Sequence, residues 1–435
     1  MTSKLVLLPS TAEVNNKGHL LIGGCDTIEL AAEFGTPLYV FDEVGIRNRC
    51  AEFKREFGSR YANSAVFYSA KAFINQAMAK LLDEEGLGLD VVSAGEMSIV
   101  RSAGFPMDRV CFPGNNKSAE ELGLALKWGV GRIVVDNVHE LGMLGEIAKV
   151  QDVSPDILLR LSPGVDPHTH DYIITGNLDS KFGVPMADAE KALTMALAMP
   201  RLKLRGLHFH IGSQIAEFEP YQQAIDIILG FASVMKSKHA FEMEELSIGG
   251  GFAVQYTLDS PVSSISAWAE ALTSNIGIGS RMLGLSQPRL IVEPGRAIVA
   301  QSGMALYTVG VIKDVPGVRR YVSVDGGMAD NIRPALYGAK HEAVVANKMA
   351  EKETDKVAVA GKFCESGDII IRDTMLPPLS AGDILAVADC GAYSIPLASN
   401  YNAALKPAIV MVKEGKARLI RKRESFDDLS RLDLA

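Results

Sequence analysis

The 435-residue sequence contains only five cysteines, which are scattered along the chain without a C-x-x-C pair. This arrangement excludes the closely spaced thiols of structural zinc sites and does not predict a disulfide framework. The sequence also lacks an uninterrupted apolar stretch of the roughly 18 to 20 residues that cross a bilayer. Its N-terminal apolar run is too short for a secretory signal, so we expect a cytoplasmic protein that binds no membrane.

Positive charge is scarce relative to negative charge. The 44 lysine and arginine residues are outnumbered by 52 aspartate and glutamate residues, which gives a formal net charge of −8. Because this surplus of carboxylates disfavours contact with a phosphodiester backbone, we expect no nucleic-acid partner. The sequence also lacks the two glycine-rich fingerprints of nucleotide-binding loops. With 48% hydrophobic and 22% charged residues, the composition is that of a folded globular protein.

Short β-branched apolar runs alternate with helix-like stretches between residues 65 and 294, which is typical of β/α units around a parallel sheet. We count eight such runs: AVFYSA (65–70), LGLDVV (87–92), VCFPG (110–114), RIVVDN (132–137), DILLRLS (156–162), LRGLHFHI (204–211), EELSIG (244–249) and RLIVEP (289–294). Eight units in about 250 residues predict a (βα)8 barrel of the TIM type. A doubly wound open sheet is the alternative.

The segments on either side of the predicted barrel show a different pattern. Before it lie the strand-like pieces KLVLLP, HLLIGG and PLYVFD, and after residue 300 come alternating runs separated by turns. These runs predict a mostly antiparallel all-β domain. We therefore expect a barrel at residues 41–300, with residues 1–40 and 301–435 together forming the β domain.

Charged and polar side chains interrupt or follow several predicted barrel strands. Lys71 directly follows the first strand, while Asp90 and Arg160 lie inside the second and fifth. A single lysine at a strand end is more often solvated than catalytic, and a structural ion pair explains Asp90 and Arg160 as well as a site does. His208 and His210 share one face of the sixth strand. Because no third ligand follows at a suitable spacing, we expect no metal, and an imidazole there can instead stack on a flat ring.

The last two predicted strands end in a glycine triplet, Gly249–Gly251, and in a Glu293-Pro-Gly-Arg296 segment. The loops after the seventh and eighth strands form the usual phosphate corner of a barrel, although a glycine triplet alone also fits a tight turn. Together with a lysine and an imidazole, these groups favour pyridoxal phosphate. This cofactor requires an amine for its aldehyde, N–H donors for its phosphate and a carboxylate, here Glu293, for its pyridine nitrogen.

Seven sequence blocks extend this pattern over nearly the whole chain. They are YSAKAF with GLGLDVVSAGEM behind it, HFHIGSQI, SIGGGF, VEPGRAIVA, DGGMADNIRPALY, GKFCESGDII and GAYSIPLASNYNA. In composition and order they resemble the alanine racemase-like family of pyridoxal-phosphate enzymes and, within it, the diaminopimelate decarboxylase family. The resemblance implies pyridoxal 5'-phosphate as cofactor, an amino-acid substrate, and a homodimer whose β domain completes the active site and the interface.

The resemblance also implies roles for individual residues. The implied catalytic residues are Lys71, which binds the cofactor aldehyde, and Cys364, which comes with Glu365 from the second subunit. The implied cofactor-binding residues are Lys71, His210, Ser213, Gly250, Gly251, Glu293, Gly295, Arg296 and Tyr393. The implied substrate-binding residues are Arg296, Arg333, Tyr337, Glu365 and Tyr393. Asp90 and Arg160 are expected to have supporting roles.

The implied substrate follows from the last group. Arginines for a distal carboxylate and Glu365 for a distal ammonium favour meso-diaminopimelate, which would be decarboxylated to L-lysine and CO2. Phe73 and the Ser394-Ile-Pro block depart from the commoner family pattern. The alternatives are a related decarboxylase acting on a D-amino acid, a polyamine precursor or a carrier-bound glutamyl group, and a non-catalytic cofactor-binding homologue. The long loop at residues 164–184 is interpreted as a lid or as a surface excursion.

Overall fold

The computed structural model of the protein describes residues 3–166 and 180–434, so that His168 and His170 of the predicted lid lie outside the described residues. The chain divides into two compact units. The first, here called the β unit, comprises Met1–Asn48, Val254–Pro261 and Ile298–Ala435. The second, called the barrel unit, comprises Arg49–Ala253 and Val262–Ala297.

The described residues form a series of strands and helices that are numbered here in chain order. The strands are β1 (Glu13–Val14), β2 (Leu20–Ile22), β3 (Cys25–Asp26), β4 (Leu38–Asp42), β5 (Ser64–Ser69), β6 (Gly88–Asp90), β7 (Val110–Phe112), β8 (Arg132–Val135), β9 (Asp156–Ser162), β10 (Val184–Pro185), β11 (Lys203–His208), β12 (Glu245–Ser247), β13 (Arg289–Val292), β14 (Gly303–Val315), β15 (Arg319–Val324), β16 (Ala343–Val345), β17 (Asp355–Ala360), β18 (Ile369–Leu376), β19 (Ile384–Val387), β20 (Ala408–Lys413) and β21 (Lys416–Arg421). The α-helices are α1 (Thr27–Phe34), α2 (Glu43–Arg60), α3 (Gln76–Glu84), α4 (Ala94–Ser102), α5 (Ala119–Lys127), α6 (Val138–Val150), α7 (Met186–Leu197), α8 (Glu219–His239), α9 (Ile265–Met282), α10 (Arg296–Val299), α11 (Arg333–Tyr337) and α12 (Phe426–Ser430).

The barrel unit is built on eight parallel strands that close on themselves. Their order is β5-β6-β7-β8-β9-β11-β12-β13, and β13 pairs with β5 to complete the ring. Strand β10 adds a short parallel pairing to β9. The eight strands match the eight predicted runs to within three residues at each end. The predicted (βα)8 barrel is therefore confirmed, and the open-sheet alternative is wrong.

Apolar side chains from five barrel strands form one buried cluster: Phe67, Cys111, Val134, Leu158 and Ile291. Such layers are the usual filling of a closed eight-stranded barrel. Because the cluster packs the barrel interior, polar side chains at the strand ends are held at the rim rather than inside the core.

Four consecutive helices of the barrel unit begin at a capping residue that follows a strand. The side chains of Asn75, Ser93, Ser118 and Asn137 accept hydrogen bonds from the first turns of α3, α4, α5 and α6. These residue types satisfy backbone N–H groups that have no partner within the helix. Each cap determines where the loop after a strand ends and the next helix begins. The caps therefore help to hold the loops that carry the side chains at the rim.

The β unit contains a nine-stranded sheet and a small three-stranded sheet. The path of the large sheet is β18-β17-β15-β14-β4-β20-β21, with β19 paired to β14 and β16 paired to β19. The pairings are antiparallel except for β15 with β17 and β20 with β4, which are parallel. The predicted mostly antiparallel domain is thus confirmed. Its core includes fully buried residues of β4, β14 and β20, such as Val40, Leu306 and Val410.

One strand prediction for the β unit is wrong, and one strand was not predicted. The KLVLLP segment forms a 3-10 helix over Ser3–Leu7 instead of a strand. The adjacent residues Leu7 and Leu8 are both buried, whereas a half-buried strand would place neighbouring side chains on opposite faces. Strand β18 was missed because the adjacent charges Arg372 and Asp373 interrupt the apolar alternation of its sequence. None of the helices in the described part of the chain has the length and apolarity that crossing a bilayer requires.

Candidate active site

The predicted site residues divide between the two units. The barrel unit contains Lys71, Asp90, Arg160, His210, Ser213, Gly250, Gly251, Glu293, Gly295 and Arg296. Each of these ten lies on a barrel strand or within five residues of its carboxyl end. The carboxyl ends of parallel barrel strands share one rim, so the fold gathers all ten at that rim. The β unit contains Arg333, Tyr337, Cys364, Glu365 and Tyr393.

Lys71 lies in a single 3-10 turn, Ala70–Ala72, that directly follows strand β5. The residues around it are buried, while Lys71 itself is partly exposed. The Tyr68 hydroxyl donates to the Phe73 carbonyl at 2.8 Å and ties the two ends of the turn together. Within the described residues, the Lys71 ammonium forms no hydrogen bond and no ion pair. The turn therefore fixes the backbone of Lys71 and leaves its amine available to a ligand.

Gly295 packs directly against the turn that carries Lys71. A Cβ atom at position 295 would lie 3.0 Å from Ser69 Cβ, from the Ser69 carbonyl oxygen and from Ala72 Cβ. The Ser69 N–H also donates to the Pro294 carbonyl at 3.2 Å. Only a residue without a side chain permits this approach without displacing the turn. The contact brings the end of β13, and with it Glu293, beside the lysine.

Glu293 is a buried carboxylate with two polar neighbours. The Ser247 hydroxyl donates to its Oε1 at 2.7 Å, and His208 Nε2 lies 3.3 Å from its Oε2. Burial alone would raise the pKa of the Glu293 carboxyl, but His208, Ser247 and the Lys71 charge hold this pKa below its usual value. Glu293 is therefore ionised at neutral pH and suits a partner that carries a proton on a ring nitrogen.

Two further carboxyl groups lie near Lys71. Asp90 accepts a hydrogen bond from the Ser69 hydroxyl at 2.7 Å, and Glu96 accepts one from the Val92 N–H at 2.7 Å. Burial, together with the Glu293 charge, raises the pKa of Asp90 to about 6. Burial raises the pKa of Glu96 to about 7, and the Lys71 charge opposes the shift in both. Sequence reasoning missed Glu96, because an S-x-x-E pattern is ordinarily a helix cap.

His210 lies just beyond the end of β11 and packs against the glycine triplet. Burial, followed by the charges of Lys71 and Arg160, lowers its pKa well below 6.5, so the ring is neutral. A Cβ atom on Gly249 would lie 2.7 Å from His210 Nδ1, and Gly249 has a φ of +70°, in the left-handed region. Glycine at this position lets the backbone lie along a flat, uncharged imidazole.

The rest of the triplet forms a cradle of backbone. Added Cβ atoms would overlap the Glu293 carbonyl oxygen at Gly250 and the Gly212 carbonyl oxygen at Gly251. Neither of these two glycines donates its N–H to another group in the described residues. Beside them, Arg296 Nη2 donates to the Ser213 hydroxyl at 3.0 Å. Unobstructed N–H groups beside a guanidinium and a hydroxyl suit a phosphate.

Asp90 and Arg160, which the sequence allows as an ion pair, have different partners. Arg160 is 6% exposed, and its Nη1 lies 3.5 Å from Asp136 Oδ1. Its guanidinium carbon also lies 4.5 Å from the centroid of the Phe182 ring. The supporting residues thus belong to two separate interactions, one around Ser69 and one around Asp136.

In the β unit, Arg333 begins the short helix α11 and is 4% exposed. Its guanidinium carbon lies 4.7 Å from the centroid of the Tyr256 ring. Its Nη1 has no hydrogen-bond partner in the described residues, although the Arg333 charge acts on the buried Asp389, whose pKa burial raises well above 3.8. A buried cation in this state suits an anionic ligand. Tyr337, at the end of the same helix, and Tyr393, with a φ of +60°, are partly exposed.

Cys364 and Glu365 are exposed on a loop that a buried carboxylate supports. Asp368 accepts hydrogen bonds from the backbone N–H groups of Phe363, at 2.9 Å, and Met328, at 2.7 Å. The Cys364 N–H donates to Asn402 Oδ1 at 3.2 Å. Cys364 also lines a cavity of about 760 Å³ within the β unit. The thiol is therefore held outward on a braced loop.

The barrel residues fit pyridoxal phosphate on three counts: a lysine amine without a partner, an ionised buried carboxylate and a glycine cradle. The described residues contain no cluster of three or more side chains arranged to hold a metal ion.

Comparisons with known proteins agree with this geometry. Residues 44–300 match the family of pyridoxal-dependent decarboxylases, pyridoxal binding domain. The chain is 45% identical to diaminopimelate decarboxylase of Bacillus subtilis over 431 residues, which cover 99% of this chain and 98% of the relative. It is 41% identical to the enzyme of that name from Mycobacterium tuberculosis, covering 98% and 97%. A crystal structure of diaminopimelate decarboxylase from M. jannaschii in complex with L-lysine aligns with a TM-score of 0.92 at 35% identity, covering 98% of both chains.

The family match spans more than half of the sequence, and the relatives are similar over almost its whole length. The chain therefore belongs to the diaminopimelate decarboxylase family and is a pyridoxal-phosphate-dependent amino-acid decarboxylase.

Proposed function

We propose that the protein converts meso-diaminopimelate to L-lysine and CO2 in the cytoplasm. The observation that carries the proposal is the partnerless Lys71 amine on a turn packed against the segment that contains the ionised Glu293. Pyridoxal phosphate, when bound, supplies an aldehyde that binds amines and a ring that accepts the electron pair left by departing CO2. Five free cysteines agree with a reducing compartment.

The barrel unit holds the cofactor in this proposal. Lys71 binds the aldehyde, and Glu293 holds a proton on the pyridine nitrogen so that the ring can take up negative charge. The neutral His210 ring would lie against the cofactor ring. The phosphate would be bound by the N–H groups of Gly250, Gly251 and Gly295, and by the side chains of Ser213, Arg296 and Tyr393.

The selectivity for a substrate with two charged ends lies in the arginines and in Glu365. Arg333, whose Nη1 is buried without a partner, binds the distal carboxylate together with Arg296, Tyr337 and Tyr393. Glu365 binds the distal ammonium. A substrate that lacks the distal carboxylate leaves the buried Arg333 unpaired, which disfavours it strongly. After CO2 has left, Lys71 or Cys364 delivers a proton to the substrate carbon.

The decarboxylation is tested with purified protein, pyridoxal phosphate and a panel of amino acids. We expect CO2 release and L-lysine from meso-diaminopimelate, and at least 100-fold lower kcat/KM for L-ornithine, since it lacks the distal carboxylate. Borohydride reduction should trap the cofactor on Lys71, and the Lys71→Ala variant should give no adduct. Equal kcat/KM values for the two substrates would contradict the assignment of the substrate.

We further propose a homodimer in which Cys364 and Glu365 complete the site of the partner subunit. The exposed position of both residues on a braced loop supports this arrangement. The inactive variants Lys71→Ala and Cys364→Ala, once mixed and allowed to exchange subunits, should recover up to about a quarter of the activity, because half of the dimers then contain one intact site.

A matched control separates shared sites from nonspecific recovery. Lys71→Ala mixed with Glu293→Gln should recover nothing, because both changes lie in the barrel unit and every hybrid site contains one of them. Subunit exchange is verified with tagged chains. If the first mixture also stays inactive after verified exchange, the shared-site proposal is wrong.

A further inference from the structure

Four charged side chains are buried together in the barrel unit between β7 and β9. Lys117 follows β7, Asp136 follows β8, Glu140 lies in the first turn of α6, and Arg160 lies on β9. Their exposed fractions are between 2% and 6%. Two cations and two anions make the group neutral as a whole, but each charge has been removed from water.

Short contacts join the four into one chain of interactions. Lys117 Nζ lies 2.7 Å from Glu140 Oε1 and donates to the Gly114 and Val134 carbonyls at 2.7 and 2.9 Å. The other oxygen of Glu140 accepts the Asp136 N–H at 3.1 Å. Asp136 Oδ1 then faces Arg160 Nη1 at 3.5 Å. The Lys117–Glu140 pair thus fixes the backbone of Asp136, and the Asp136 side chain faces Arg160.

Stability alone does not explain this network. Removing ions from water costs several kcal/mol each, and replacing buried ion pairs with apolar groups is often neutral or stabilising. The remaining charged contacts of β9 behave differently, since Asp156, at its first residue, pairs with Arg132 and Arg205 in partly exposed positions. On β9 the buried charge thus lies toward the carboxyl end of the strand, where this fold carries its chemistry.

Arg160 is the member of the network that reaches the site, because it is the register partner of His208 on the neighbouring strand β11, and the His208 ring lies 3.3 Å from Glu293. Its charge contributes to the low pKa of His210, after burial and Lys71. The charges of Glu293 and Asp90 act on Arg160 in turn, so the guanidinium lies within electrostatic range of three site residues. Asp136 also accepts the Gly183 N–H at 2.9 Å, which holds the backbone beside Phe182, the ring that packs on Arg160.

We propose that Asp136 is a positioning residue that acts through Arg160: fixed by the Lys117–Glu140 pair, its carboxylate holds the guanidinium against Phe182 and toward the cofactor site. Arg160 is then a rigid positive group at the rim rather than a mobile side chain. The inference deepens the proposed function, on which it rests.

A double-mutant cycle tests whether Asp136 acts through Arg160. Asp136→Asn removes the charge but keeps an oxygen for the Gly183 N–H, and Arg160→Gln removes the guanidinium. We expect each single variant to lower kcat/KM for meso-diaminopimelate by roughly 10- to 100-fold, the scale on which an error of about 1 Å acts. The double variant should be no worse than Arg160→Gln alone, whereas independent structural roles would multiply the two losses.

The same cycle is measured on the affinity of the cofactor-free protein for pyridoxal phosphate. We expect both single variants to weaken binding by a similar factor, with no further loss in the double variant. This readout needs no turnover. If the unchanged protein binds the cofactor but does not decarboxylate meso-diaminopimelate, the proposed function fails while the cycle still tests Asp136. Multiplicative losses in both readouts would overturn the inference.

Asp156→Asn is the matched control, because it removes a carboxylate that pairs with arginine at the opposite end of the same strand. It should lower the melting temperature and leave kcat/KM and cofactor affinity within twofold of the unchanged protein. If Asp136→Asn does not fold, Asp136→Glu keeps the charge and shifts its position. A folded Asp136→Glu variant with unchanged kcat/KM and cofactor affinity would also overturn the inference.

Discussion

Gly295→Ala is expected to move Lys71, the proposed catalytic lysine, without touching any charged group. The new Cβ would lie 3.0 Å from Ser69 Cβ, the Ser69 carbonyl oxygen and Ala72 Cβ, which flank Lys71 on both sides. Ordinary carbon contacts begin about 0.5 Å further out. Since the φ of Gly295 is not in the left-handed region, the contact is the principal effect of the substitution. Three simultaneous overlaps cannot be relieved by one side-chain rotation, so the turn itself must retreat by about 0.5 Å.

The expected consequences differ for activity and for stability. Misplacement by 1 Å costs about 100-fold in rate, so a retreat of about 0.5 Å predicts a loss of roughly 10-fold in kcat/KM. Overpacking costs about 1 to 3 kcal/mol of unfolding free energy, and the loss of backbone freedom in the unfolded chain returns up to about 1 kcal/mol. Steady-state kinetics with meso-diaminopimelate and urea unfolding measure the two quantities.

Gly230→Ala is the control for this experiment. Gly230 lies within α8, and a Cβ atom there would meet nothing within 4 Å. We expect a gain of about 0.5 to 1 kcal/mol in unfolding free energy, from better helix propensity, and unchanged kinetics. The reasoning is refuted if Gly295→Ala retains full kcat/KM, because the close approach of Gly295 would then not determine where Lys71 lies.

Two further substitutions test the electrostatics of each unit. Glu293→Gln keeps an acceptor for the Ser247 hydroxyl but removes the negative charge. We therefore expect kcat to fall by about 100- to 1000-fold, while borohydride still traps the cofactor on Lys71. An unchanged kcat would contradict the proposed contact of Glu293 with the pyridine nitrogen. Asp330 is fully buried in the β unit, and burial raises its pKa from 3.8 to about 6. Because the folded state then holds this proton more tightly than the unfolded state, stability should fall by about 3 kcal/mol as the pH rises from about 4 to above 6. Asp330→Asn should remove the contribution of Asp330 to that slope and leave the contributions of Asp90 and Glu96, whose pKa values burial also raises. Urea unfolding across this range compares the two proteins, and an identical slope in both would contradict the assignment.

The sequence predicted the barrel well because each of its strands is a short apolar run between helix signals, and local patterns of that kind survive in the fold. It could not predict contacts that depend on which loops meet. The approach of Gly295 to the Lys71 turn, and the partners of Arg160, join residues far apart in sequence. Strand β18 was missed for the converse reason, since its pairing with β17 outweighs an unfavourable local pattern.

The two buried acids of the barrel rim show why residue type alone does not assign chemistry. Asp90 and Glu293 both lie at the end of an apolar strand, and both are almost fully buried. Glu293 has a hydroxyl and an imidazole within reach, and both lower its pKa. In the described residues, Asp90 accepts a hydrogen bond only from the Ser69 hydroxyl, and its pKa rises to about 6. The negative charge of each acid disfavours ionisation of the other, so the acid with more polar neighbours ionises first as the pH rises. Because a lasting negative charge is what a protonated ring nitrogen needs, the neighbours of Glu293, rather than its sequence position, support its proposed role as the partner of the cofactor.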